Sequence, residues 1–295
     1  MMIKIVCGWL LFLVVIVSGA RWLWQEDSSN PSAEVGSLLE APELDQKDLM
    51  LLEDAYPLYN AAFQGFITAA TPEEQNQFVL NAASTASKMA RFYSSNPLIK
   101  IDPTKISLSD QIVLNLPDNK VIETLWKEEG GRKFDAVFHE ENGDWKLDWE
   151  HFAKYSTEPW ALFLSGTGTG DGEFRLLARE RLASERKGAD DISLVLYAPR
   201  FGNPADTGFQ SPEILVKRDS TEGKLLTAAF KRLRDKKPIF GSSLPHYDPD
   251  DMIRIRAKIR RSQTEESTRY EVTEIIACHW YSVDAPGVEI AEKKD

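Results

Sequence analysis

An α+β body carried behind an apolar amino-terminal segment is the architecture this sequence predicts, on three observations. Ile5 to Ala20 run without a charge between Lys4 and Arg21. From about Lys47 apolar residues recur at three- and four-residue spacing, and beyond residue 105 the period changes to two, so helices precede strands. The net charge of −11 is unevenly placed: residues 1–165 hold 13 basic and 24 acidic residues, whereas 166–295 hold 22 of each. That asymmetry divides the soluble part into two domains.

The uncharged run would make a helix of about 24 Å, short of a hydrocarbon core of ~30 Å. Its flanks make up the difference. Lys4 and Arg21 can keep their charges among the headgroups, and Trp22 and Trp24 suit the interface because an indole is apolar with one polar N–H. Residues 3–24 are therefore expected to hold a lipid bilayer as a single-pass anchor. The competing expectation is a cleaved secretory signal, since Ser18 and Ala20 form a small-x-small pair after an apolar stretch. Both place the body outside the cytoplasm, although the weak positive-inside bias leaves orientation open.

Residues 25–46, rich in Ser, Glu, Asp, Pro and Gly, are expected to be a solvated tether. A first domain spans 47–165. Its opening helix carries Leu51, Leu52, Ala55, Leu58, Tyr59, Ala62, Phe63, Phe66 and Ile67 at three- and four-residue spacing, with Pro57 expected to kink or break it near Ala55. Thr71-Pro72-Glu73-Glu74 reads as a capping box starting a helix to about Leu80, and a further helix covers about 83–93. Strands follow over 106–116, with an irregularity, and over 121–127. Phe134–Glu141 and Asp144–Glu150 then form a hairpin about Asn142-Gly143, a pair suited to the positive φ values of a type I′ turn. Pairing outward sets Glu140 opposite Trp145, Phe138 opposite Leu147 and Ala136 opposite Trp149. Trp160, Leu162 and Phe163 are expected to pack back on this sheet.

Helices followed by a four-stranded meander that ends in the run from Gly143 to Phe152, GDWKLDWEHF, resemble the nuclear transport factor 2-like (cystatin-like) cone. That resemblance implies a domain used for binding and assembly as well as for catalysis, and a homodimer through the open sheet. The overall pattern also looks like that of membrane-anchored bacterial envelope proteins.

Gly166, Gly168, Gly170 and Gly172 predict a flexible linker over 166–172, because a phosphate cradle requires a preceding strand and a following helix. The second domain, 173–283, reads as strands over 173–182, 192–197 and 214–217, a helix capped by Asp219 through about Arg234, and strands over 252–261 and 269–281. This β-β-β-α-β-β order resembles an OB-fold barrel, with an open sheet covered by one helix as the alternative. Residues 284–295 are expected to be a disordered tail.

Chemistry is sparsely signalled. Four histidines show no zinc-type spacing, and Cys7 and Cys278 are the two cysteines, so neither metal, cofactor nor disulfide is expected. Asp135, His139 and Asp148 fall on the strand face opposite Phe138 and Leu147, which predicts a solvent-facing position; Asp135 and His139 are too far apart along the strand for one dyad. Phe134, Phe138, Trp145 and Trp149 line either an apolar pocket or a core. Arg254, Arg256, Lys258 and Arg260 alternate with Ile253, Ile255, Ala257 and Ile259 and form a basic ribbon. It could bind an anionic polymer, or be neutralised by Glu271 and Glu274 on the next strand. An exported body makes nucleic acid a poor partner and an envelope protein or anionic polymer a better one. Cys278 and His279 should point to opposite faces and so not act together. A binding or assembly module is expected ahead of an isomerase- or hydratase-type enzyme.

Overall fold

Capping and turn chemistry lay down the first half of the molecule. The computed structural model describes residues 45–181, 190–244, 247–263 and 267–290. They belong to one compact unit, Leu44–Asp295. The expected anchor at 3–24 and nearly all of the expected tether lie outside the described residues, among which no helix is long and apolar enough to cross a membrane.

Asp45 accepts a bond from the Lys47 N–H and opens α1 (Gln46–Thr68). Contrary to expectation, α1 runs through Pro57 without a break. The proline lies on the exposed side, while Leu52, Ala55, Tyr59, Phe63 and Phe66 bury the opposite stripe on both sides of it, so one missing backbone bond is tolerated. Thr71 Oγ1 accepts from Glu74 N at 3.2 Å and Glu74 returns to Ala70 N at 2.6 Å, starting α2 (Pro72–Gln75). This helix stops after one turn and does not reach Leu80: residues 76–78 tighten into a 3₁₀ turn and Val79 bridges to Leu147. α3 (Ala82–Tyr93) follows.

The first sheet is an antiparallel meander of β1 (Ile106–Asn115), β2 (Lys120–Glu128), β3 (Lys133–Glu141) and β4 (Asp144–Leu147), with an irregularity between Leu108 and Asp110. Asn142 and Gly143 take φ values of 55° and 86°, as a type I′ turn needs. Glu140 pairs with Trp145 and Phe138 with Leu147. The expected Ala136–Trp149 pair does not form. Asp148 accepts a bond from the His151 N–H and turns the chain into α4 (Trp149–Phe152), which ends the strand three residues early. One face of the sheet packs under α1, where Phe63 stacks on Trp126 with ring centroids 4.2 Å apart.

α5 (Trp160–Ser165) was expected to close this first core, but Trp160 and Phe163 pack on Phe174 in the second. Aromatic contact with the nearer strand outweighs chain order here. The expected flexible glycine linker is instead pinned. Arg261 donates to the Gly166 and Gly168 carbonyls at 3.1 and 3.0 Å, and its N–H to Gly170 O at 2.7 Å. Glu158 accepts from Thr169 N at 3.1 Å.

The second sheet contains β5 (Asp171–Glu180), β6 (Asp191–Pro199), β7 (Thr207–Gln210), β8 (Ile214–Lys217), β9 (Met252–Gln263) and β10 (Thr268–Ala277). Its order is β10-β9-β5-β6-β7, with β8 also paired to β6 and lying near β10. β7 had no counterpart in the sequence reading. α6 (Thr221–Arg234) is capped by Ser220, one residue after the expected Asp219, and packs on β8, β9 and β10. The expected tail begins with packed chain: Pro286 O accepts from Cys278 N, and Val288 is buried in the second core. The apolar residues β1, β2 and β3 present away from α1, among them Leu114, Val121 and Val137, pack with Leu244 and Tyr281 of the second half. The sheet face through which a homodimer was expected is therefore covered within the chain.

Candidate functional site

The strand β3 serves two interiors. Phe134, Ala136 and Phe138 face the core beneath α1, while Asp135, Val137 and His139 face the second half. The expectation that Asp135, His139 and Asp148 meet solvent is thereby corrected. They do point away from the aromatic face, but what covers them is protein. Asp148 and His139 are 1% and 4% exposed.

Asp135 accepts from Arg254 Nη1 at 2.6 Å and Lys154 Nζ at 2.8 Å, and lies 3.0 Å from His151 Nε2. Arg254 also donates through Nε to Asp248 at 2.5 Å, and it lies over the Trp280 ring at 4.4 Å. Asp148 accepts from Ser282 N at 2.8 Å, Ser282 Oγ at 2.7 Å and His151 N at 3.0 Å, with His139 Nε2 at 3.9 Å. Glu123 accepts from Tyr281 OH at 2.9 Å and Ser242 Oγ at 2.5 Å. Arg175, 1% exposed, donates to the carbonyls of Tyr155 and Trp280, to Glu150 at 3.2 Å and to Ser282 Oγ at 3.3 Å. Asp135 and His139 do not pair, as strand spacing required. Asp135 lies against His151 of α4, and His139 lies 3.9 Å from Asp148, which caps that helix.

Burial opposes ionisation throughout this seam, and the partners decide where each group ends. It would raise the Asp135 carboxyl, but Arg254 and Lys154 overrule it and hold the pKa well below the usual range. Asp148 is lowered likewise, against burial, by His139, His151 and Arg175. Burial lowers His139, and burial with the neighbouring Lys154 lowers His151. Burial pushes His279 down to about 3 and Cys278 up to about 12. Burial and the adjoining Glu123 raise the Tyr281 phenol well above its usual value.

The sequence-nominated residues separate. Phe134, Phe138, Trp145 and Trp149 are all at or below 7% exposed within the first core, packed by α1, α3 and α4. The basic ribbon divides. Arg254 and Arg256 turn inward, Arg256 donating to Val283 O at 2.6 Å; Lys258 pairs with Glu274 and Arg260 with Asp171 at the surface. Glu123, His151, Lys154, Arg175, Asp248 and Tyr281 are the seam residues that the sequence reading missed. The one available signal was that β2, β3 and β9 each place polar side chains between large aliphatic ones on strands flanked by further strands.

Two clefts open beside the seam. One, of about 310 Å³, is polar and is lined by Asn81, Ser84, Lys88, Glu173, Arg256 and Asp284. The other, of about 520 Å³, runs between the end of α6 and the start of β9, with walls from Leu233, Pro238, Ile239, Met252, Ile253 and Trp280. His279 lines it and donates through Nε2 to Ala285 O at 2.7 Å. Bonding to a carbonyl makes Nε2 the protonated nitrogen and leaves Nδ1 a buried acceptor without a partner.

Two potential nucleophiles are engaged elsewhere. The Cys278 thiol is turned to Leu225 O, away from His279, and the Tyr281 hydroxyl is held by Glu123. The described residues contain no group of three or more metal-ligating side chains. Beside the seam lies a groove with largely apolar walls. Compared with known proteins, the chain matches no family model, no curated protein and no solved structure.

Proposed function

We propose that this chain is a membrane-tethered, extracytoplasmic binding module and not an enzyme. One observation carries the reading: the buried carboxylates Asp135, Glu123 and Asp148 are bonded to partners across the two halves, while a cleft of about 520 Å³ with largely apolar walls opens beside them. The apolar amino-terminal run with its lysine, arginine and tryptophan flanks supplies the tether. The helix-then-meander order of the first half supports a nuclear transport factor 2-like cone. In the second half the path β10-β9-β5-β6-β8, with β8 near β10 and α6 between β8 and β9, supports an OB-like barrel. Both folds serve widely as binding platforms.

Fractionation of expressing cells tests the proposal. The full-length chain should stay with membranes after alkaline carbonate extraction, and protease added outside the membrane should digest the body. Recovery of the intact chain in the soluble fraction, or protection of the body from external protease, would overturn it.

A further inference from the structure

We infer that the groove at the end of α6 binds a single-chain anionic lipid, a long-chain carboxylate, with its acyl chain along the apolar walls and its headgroup at a basic rim. The inference rests on the binding-module reading and names its ligand. At about 520 Å³ the groove falls within the ~300–1,000 Å³ usual for small-ligand sites. Leu233, Pro238, Ile239, Met252, Ile253 and Trp280 make its walls largely apolar, with His279 among them.

Charge decides the headgroup. Arg232, Lys236 and Lys237 stand at the rim, and Lys236 and Lys237 have no ion-pair partner among the described residues. Arg232 donates to Pro238 O at 2.6 Å but leaves its buried Nε without an acceptor. Of the two lining acids, Asp248 is taken by Arg254, and Asp250 alone opposes three cations. The negative end of α6 does not cancel them. Lys236 N caps Leu233 O at 3.1 Å and Lys237 N caps Arg232 O at 2.9 Å.

Lys236 adopts φ 54°, the left-handed region normally left to glycine at a helix end. Lys236 thus stands at the mouth of the groove in a backbone conformation that glycine adopts without strain. It also yields a variant that must fold: glycine at this position relieves the strain while deleting the cation.

Full-length protein in lipid nanodiscs, photolabelled with a diazirine analogue of palmitate, tests the inference. Label should map to residues 229–239, 252–254 and 278–281. The double variant Lys236→Gly/Lys237→Gln should lose about tenfold of this labelling without lowering its thermal midpoint. Hexadecanol should compete about tenfold less well than palmitate. Label confined to residues 3–24, labelling indifferent to the double variant, equal competition by hexadecanol, or a second copy of the chain cross-linked in the groove would each overturn it. Fractionation separates the two readings: a chain that stays in the membrane with an unlabelled groove removes the lipid site alone, whereas a soluble chain removes the tether and leaves the groove to be labelled in solution.

Discussion

The core beneath α1 and the seam between the two sheets are built from alternate residues of the same strand, yet they hold by opposite means. Toward α1, Phe134, Ala136 and Phe138 meet Phe63 and Phe152 in tightly packed aromatic contact. Toward the second half, Asp135 and His139 enter an ionic network that includes Arg254, Lys154 and Asp148. Apolar packing holds no titratable charge and is therefore insensitive to pH. The seam is specific: each charge there is acceptable only because named partners surround it. The difference shows that period-two alternation reports two faces of a strand and leaves open which medium each face meets.

Breaking each region once should separate them most widely. Arg254→Met leaves Asp135 and Asp248 short of a buried partner and is expected to cost about 3–5 kcal/mol in urea unfolding. Phe63→Ala, emptying a fully buried site, is expected to cost a similar ~3–5 kcal/mol. Their pH signatures differ. The Arg254 deficit should shrink as pH falls below ~4 and Asp135 protonates, while the Phe63 deficit stays constant. Equal pH profiles would show that the seam is held by packing and not by charge.

The histidines give a second, smaller contrast. His139, His151 and His279 are all lowered on folding, chiefly by burial. Their neutral forms are therefore favoured in the folded state. That stability is complete above the unfolded value of ~6.5 and drains as pH falls, down to about 3 for His279, at up to about 1.4 kcal/mol per pH unit for each histidine. Urea midpoints should thus fall between pH 7 and pH 5, and His279→Gln should flatten the slope. An unchanged slope in that variant would remove His279 from the acid response.

The smallest effect sharpens the comparison within one strand. β9 carries both Arg254, buried in the seam, and Lys258, exposed beside Glu274. Glu274→Gln should leave the urea midpoint where it is, because solvent screens this pair. A loss approaching that of Arg254→Met would mean that exposure on β9 does not govern what an ion pair contributes.

Local chemistry was legible in the sequence where one short stretch decides the outcome. The Asn142-Gly143 turn set the Phe138–Leu147 register, the Thr71–Glu74 box opened a helix, and β8 falls over 214–217 as read. Failures arose where distant residues choose. Trp149 left its strand because Asp148 bonds the His151 N–H, and α5 joined the second core because Phe174 waits there. The seam was illegible for the same reason. Asp135 and Arg254 stand 119 positions apart, and an isolated carboxylate on an amphipathic strand has the same pattern whether it faces water or a guanidinium.

Arg175 has one further consequence. Its guanidinium reaches Tyr155 and Glu150 on one side and Trp280 and Ser282 on the other, so neither half can open without stranding a cation in the interior of what is left. Two separate hydrophobic cores are in this way made a single cooperative unit, and heating should melt them together in one endotherm.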